Sequence, residues 1–118
     1  DYLKQRKQFD RLIGEFQALQ HRAAHLYSEL EIARAATMKA QQLLDEGSPL
    51  AELYVSVAKA KAAKAANLAV REGVQMHGGI GMTDEYDIGL YMKRERALTE
   101  FFGDGSYHTN RVAELAGY

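Results

Sequence analysis

Residues 45–50 read DEGSPL. Gly47 suits the left-handed residue that closes a helix, Ser48 suits an N-cap, and Pro49 suits a first helical turn. The hexapeptide therefore reads as one helix stopping and another starting. On its N-terminal side, Ile13, Phe16, Leu19, Ala23, Leu26, Leu30, Ala33 and Ala36 recur at intervals of three and four. That spacing marks one apolar face of a long helix, predicted over residues 13–45. On the C-terminal side a second helix is predicted over residues 49–77. At ~1.5 Å per residue it spans roughly 40 Å. Its alanines, dense in AKAKAAKAANLAV (58–70), favour helix and let a neighbouring helix approach closely.

Beyond the second helix comes QMHGGIGMTDEY, residues 75–86, with Gly78, Gly79 and Gly81 crowded into four positions. Thr83 reads as the cap of a third helix. Asp84 and Glu85 fall in its first turn, where negative charge suits the helix dipole. That helix carries Tyr86, Ile88, Leu90, Tyr91 and Met92 and runs to about Phe101. FGDGS, residues 102–106, interrupts it, and a last helix follows over residues 106–115. No strand pattern competes. The predicted fold class is all-α, an antiparallel four-helix bundle with two long and two short helices. DYLKQRKQF (1–9) reads as the tail of a helix that begins outside the chain, so the first helix is expected to be truncated.

The 118 residues suffice for one domain with a modest core. With a net charge of -1, nothing suggests a general nucleic-acid or membrane-surface binder, so neither partner is expected. The absence of Cys removes disulfides and thiolate metal sites and fits a reducing, cytoplasmic setting. No apolar run approaches membrane-spanning length. The opening, without Met and mid-pattern, suggests a piece of a longer protein.

Each candidate site has an ordinary structural reading beside it. The glycine stretch is not a dinucleotide fingerprint: it follows a helix rather than a strand, and Asp84 stands where the third Gly belongs. One Gly would cap the helix, yet three are present, and Gly78 with Gly79 would let a ligand or another chain lie against the backbone. HRAAH places His21 and His25 on one helical face. The Glu that usually follows the first His is replaced by Arg22, no third ligand is evident, and no metal is expected. No Glu is followed three residues later by His, which rejects a di-iron bundle. Arg6, Gln17 and Gln20 can be ordinary surface residues. Asp104 is N-cap material, and Gly105 supplies a turn.

Taken together, YLKQRKQFDRLIGEFQALQHRAAHLYSELEIARA (2–35) and AKAKAAKAANLAVREGVQMHGGIGMTDEYDIGLYMKRERAL (58–98) resemble the C-terminal helical domain of the acyl-CoA dehydrogenases. The similarity covers nearly the whole chain. The family's Arg-x-x-Phe-Gly turn corresponds to Arg6, Lys7, Gln8, Phe9 and Asp10, with Asp10 departing from the usual Gly. The Gln eleven residues after that Arg is Gln17. The family's Gln-x-x-Gly-Gly-x-Gly stretch corresponds to Gln75–Gly81.

The resemblance implies that residues 1–118 are the C-terminal helical bundle of a larger flavoenzyme. It implies FAD as cofactor, an acyl-CoA thioester as substrate, a separate electron-acceptor protein, and a homotetramer or heterotetramer. It assigns FAD contacts to Gln75, Met76, His77, Gly78 and Gly79, a pyrophosphate contact to Arg6, packing to Phe9 and a hydrogen bond to Gln17. For the catalytic base, Asp104-Gly105-Ser106 is the closest match in kind to the family's Glu-Gly-Thr. An ungapped count from Gln75 instead places Phe102 at the Glu, and some members keep the base on the first helix of this domain. The base is thus Asp104, upstream of this chain, or missing. Two other readings stand beside the enzyme: an inactive partner subunit of a heteromeric dehydrogenase, and a cofactor-free helical oligomerisation module.

Overall fold

The computed structural model describes all residues 1–118. Four helices make the body: α1 (Gln17–Asp45), α2 (Ala51–His77), α3 (Ile88–Glu100) and α4 (Gly105–Leu115). Helix α2 is central. It packs on α1, on α3 and on α4, and its C-terminal end meets the N-terminal segment.

DEGSPL reverses the chain as the sequence demands. Gly47 is left-handed at φ +62. The Ser48 N–H donates to the Leu43 carbonyl and the Gly47 N–H to the Leu44 carbonyl, satisfying the last acceptors of α1. The Ser48 carbonyl then accepts the Ala51 N–H, and its hydroxyl accepts the Leu50 N–H at 3.3 Å. Pro49 therefore sits in a turn, and α2 starts at Ala51 rather than at Pro49.

Two expectations fail at the N-terminus. DYLKQRKQF is not a helix tail, and the first long helix does not begin at Ile13. Tyr2–Lys4 form a 3-10 turn. Strands β1 (Lys7–Gln8) and β2 (Arg11–Leu12) then pair antiparallel, Lys7 with Leu12 and Gln8 with Arg11. Ile13–Glu15 form a second 3-10 turn, Phe16 is extended, and α1 opens at Gln17. Two-residue strands are too short to show alternation. Phe9 and Asp10 take the tight hairpin turn at φ +55 and +60 without the Asn-Gly signature that advertises it.

Helix α3 is shorter than predicted. The Thr83 hydroxyl donates back to the Ile80 carbonyl at 2.8 Å and accepts the Glu85 N–H at 3.4 Å. It thereby closes a local turn instead of capping a helix. Asp84, Glu85 and Tyr86 precede the helix, which starts at Ile88. In α4 the Asp104 carboxylate accepts the Tyr107 N–H at 2.7 Å as the N-cap, and the helix opens at Gly105, one residue before the predicted start.

The bundle is slender, 56 × 26 × 25 Å, and its close packing relies on small residues. Ala33, Ala40 and Leu43 of α1 and Ser56, Ala58 and Ala65 of α2 are buried. Only 9 of 118 residues are buried, while Tyr27, Met38, Leu90, Tyr91, Phe101 and Phe102 stand exposed. Much apolar surface is therefore left uncovered.

Candidate functional site

The glycine stretch lies where the end of α2 meets the N-terminal segment. Between them is a cleft of about 300 Å³. Arg6 and Gln8 line one side, and Gln75 through Ile80 line the other. Ile13 and Leu19 add apolar surface, and Tyr2 completes the lining. Arg6 is held at its backbone: its N–H donates to the Tyr2 carbonyl at 2.9 Å, and its carbonyl accepts the Ile13 N–H at 2.9 Å. Its side chain is exposed and joins none of the ion pairs in the structure. A cation fixed at its root and free at its head is suited to an anionic ligand.

The three glycines have different reasons. Gly78 ends α2 at φ 68, ψ −147, a region that other residues essentially do not enter. Gly81 is buried, and a Cβ there would lie 2.9 Å from the His77 Cβ and 3.0 Å from the Val74 carbonyl oxygen. Gly79 has neither constraint: its φ is not positive, and an added Cβ would meet nothing within 4 Å. Two of the glycines thus answer to the fold, and Gly79 leaves bare backbone beside open space. His77 is anchored next to them, its Nδ1 donating to the Gly73 carbonyl at 2.7 Å, since a carbonyl can only accept.

Of the residues singled out in the sequence, the cleft unites Arg6 with Gln75, Met76, His77, Gly78 and Gly79. Phe9 is not among them. It stands at the hairpin tip, 84% exposed, edge-to-face with Phe16 at 6.0 Å. Gln17 is exposed at the start of α1 and is also outside the cleft. Asp104 lines a separate groove of about 680 Å³ between α2, α3 and α4, together with Lys61, Lys64, Arg96 and Ser106. Tyr2 and Gln8, unmarked in the sequence, reach the cleft through the 3-10 turn and the hairpin. His21 is exposed, and His25 faces Glu29 at 3.8 Å.

The chain belongs to the acyl-CoA dehydrogenase family. The family's sequence pattern for "Acyl-CoA dehydrogenase, C-terminal domain" matches residues 1–116. The chain is 35% identical over 113 residues, 96% of its length, to the mitochondrial short/branched chain specific acyl-CoA dehydrogenase of Bos taurus. It is 42% identical over 94 residues, 80% of its length, to the acyl-CoA dehydrogenase IpdE2 of Mycobacterium tuberculosis. These matches cover 26% and 28% of the two relatives, so the chain spans about a quarter of their length.

Solved structures agree. A variant of the Tcur3481-Tcur3483 steroid ACAD superposes with a TM-score of 0.90 at 32% identity, over 98% of this chain and 32% of that one. The ChsE4-ChsE5 complex from Mycobacterium tuberculosis gives 0.90 at 29% identity, over 99% of this chain and 32% of that one. The FAD complex of PigA gives 0.91 at 25% identity, over 98% of this chain and 30% of that one. The predicted all-α bundle is the observed fold. No helix is long and apolar enough to cross a membrane.

Proposed function

We propose that this domain serves an FAD-dependent acyl-CoA dehydrogenase that performs α,β-dehydrogenation of an acyl-CoA thioester, contributing cofactor contacts and the oligomer core. The observation that carries the reading is the meeting of Arg6 with Gln75–Gly79 in one cleft, from segments far apart in sequence. The residues present fit FAD. Arg6 offers an unpaired cation to the pyrophosphate, and the bare backbone at Gly79 allows close approach. Gln75 adds an amide. Phe9 and Gln17, outside the cleft, are proposed to meet the cofactor from another direction, as expected where FAD lies across a subunit boundary.

Bound FAD supplies the acceptor for the hydride equivalent that leaves the β-carbon. The α-proton goes to a carboxylate, for which Asp104 is the proposed base within this chain. Its Oδ1 accepts the Tyr107 N–H, which fixes the side chain at the head of α4. Electrons are proposed to leave through a separate acceptor protein. The exposed apolar surface supports assembly into a homotetramer or heterotetramer. The cysteine-free sequence supports the cytoplasm as compartment.

The same Asp104 observation favours one second reading. A carboxylate engaged in capping suits a partner subunit that keeps the cofactor contacts but lacks the base, and the ChsE4-ChsE5 complex is an assembly of two named components. Turnover of acyl-CoA with an artificial electron acceptor, measured on the full-length protein alone, separates the two. Flavin content of that protein separates both from a cofactor-free module. In the full-length protein, Arg6→Ala is expected to weaken flavin retention about tenfold or more, through loss of a charged contact. Unchanged flavin occupancy would overturn the assignment of Arg6.

A further inference from the structure

Three aromatic rings meet behind the cleft. Tyr2 stacks on His77 with centroids 4.3 Å apart and planes at 27°. Tyr86, from the turn before α3, stands 5.2 Å from His77 and edge-on to Tyr2 at 5.4 Å. Tyr2 and His77 line the cleft, whereas Tyr86 does not. Each of the two lining rings is tied to one wall. The Tyr2 carbonyl accepts the Arg6 N–H, so the placement of Tyr2 sets the root of Arg6. His77 directly precedes Gly78, is pinned by its Nδ1 to Gly73, and is backed so closely by Gly81 that a Cβ there would not fit.

We propose that Tyr86 is a positioning residue, closing a three-ring clamp with Tyr2 and His77 that holds Arg6 and the Gly78–Gly79 backbone at a fixed separation. The argument is mechanical. The N-terminal segment has little else to hold it, since its strands are two residues long and it carries one buried side chain, Ile13. Ring pairs at such separations stabilise beyond their burial, and three together help to order a short segment. Tyr86 contributes two of the three pairs and belongs to neither wall, so it joins the walls without occupying the space between them. The inference rests on the reading of the cleft as an FAD contact, because that ligand is what the clamp would position.

The test uses the full-length protein with Tyr86→Ala, Tyr86→Leu and Tyr86→Phe. Two quantities are measured: the rate of flavin release from the holoprotein, and amide hydrogen exchange of residues 2–13 in the flavin-free protein. Tyr86→Ala and Tyr86→Leu are expected to speed flavin release about tenfold and to raise exchange in that segment, while Tyr86→Phe stays near wild type, because the ring and not the hydroxyl does the holding. In an Arg6→Ala background, the effect of Tyr86→Ala on release is expected to shrink, since the group being positioned is gone. Faster release without faster exchange, or faster exchange without faster release, would overturn the positioning role. So would no change in either. If the wild-type protein holds no flavin, the FAD reading fails, and the exchange measurement alone decides whether the clamp exists.

Discussion

Arg22 on α1 grips both carboxylate oxygens of Glu72 on α2, Nε to Oε2 at 2.6 Å and Nη2 to Oε1 at 3.0 Å. The hydrogen bonds from Arg22 hold the Glu72 carboxyl below its ordinary value; the carboxylate's own desolvation works against them, and the guanidinium charge works with them. A depressed carboxyl stabilises the fold above its unfolded-state pKa, and that contribution is lost as pH falls through the folded-state pKa. Glu72→Gln is therefore expected to lower stability modestly near neutral pH, with the gap to wild type closing in acid. Thermal unfolding followed against pH measures this, and a gap that persists at low pH would show that the charge is not responsible.

Gly79 and Gly81 separate fold from function. Gly81→Ala forces a Cβ against the backbone of α2 and is expected to cost about 1–3 kcal/mol of stability. Gly79→Ala meets open space and is expected to change stability by less than about 0.5 kcal/mol. If the backbone lies against FAD, Gly79→Ala nevertheless weakens flavin retention. Parallel melting curves and flavin-release rates on the two variants test the distinction.

Asp10 holds a left-handed conformation at φ +60 in the hairpin turn. Asp10→Gly removes that strain and is expected to stabilise the hairpin by up to about 1 kcal/mol, while leaving flavin retention no weaker. Slower amide exchange across residues 7–12 is the expected readout, and faster exchange would count against it.

Asp104 caps α4 in the structure and has a proposed chemical role beside that. Asn caps a helix about as well as Asp, so Asp104→Asn is expected to preserve stability, whereas Asp104→Ala costs about 1 kcal/mol. If Asp104 is the base, Asp104→Asn in the full-length protein abolishes α-proton exchange of a bound acyl-CoA and leaves the flavin in place. Exchange at near wild-type rate would leave Asp104 as a cap alone.

The exposed rings of Phe101 and Phe102, 59% and 88% accessible, belong to a surface that a lone domain would rather bury. The full-length protein is expected to sediment as an oligomer. A clean monomer at high concentration would refute the proposed assembly.

Local chemistry determined much of this protein. The three-four spacing of α1, the alanines of α2 and the Gly47-Ser48-Pro49 reversal each act through a few neighbouring residues, so an antiparallel bundle is legible in the sequence. Asp104 as a cap is equally local, since its partner is three residues away. The family motifs likewise marked Arg6 and Gln75–Gly79. Other features depended on long-range contact. Residues 1–9 read as the tail of a helix, yet they form a turn and a short local hairpin, and it is the stacking of Tyr2 on His77, from the far end of α2, that fixes where they lie. Thr83 looks like a cap, and its hydroxyl does bond locally, to the Ile80 carbonyl three residues back; the sequence offers both turns, and it is the backward one that forms. The separate reasons for Gly78, Gly79 and Gly81, and the clamp between Tyr2, His77 and Tyr86, come from distances between side chains and backbone. Such distances arise only when the N-terminal segment and α3 close on the end of α2, a packing event that local propensity does not encode.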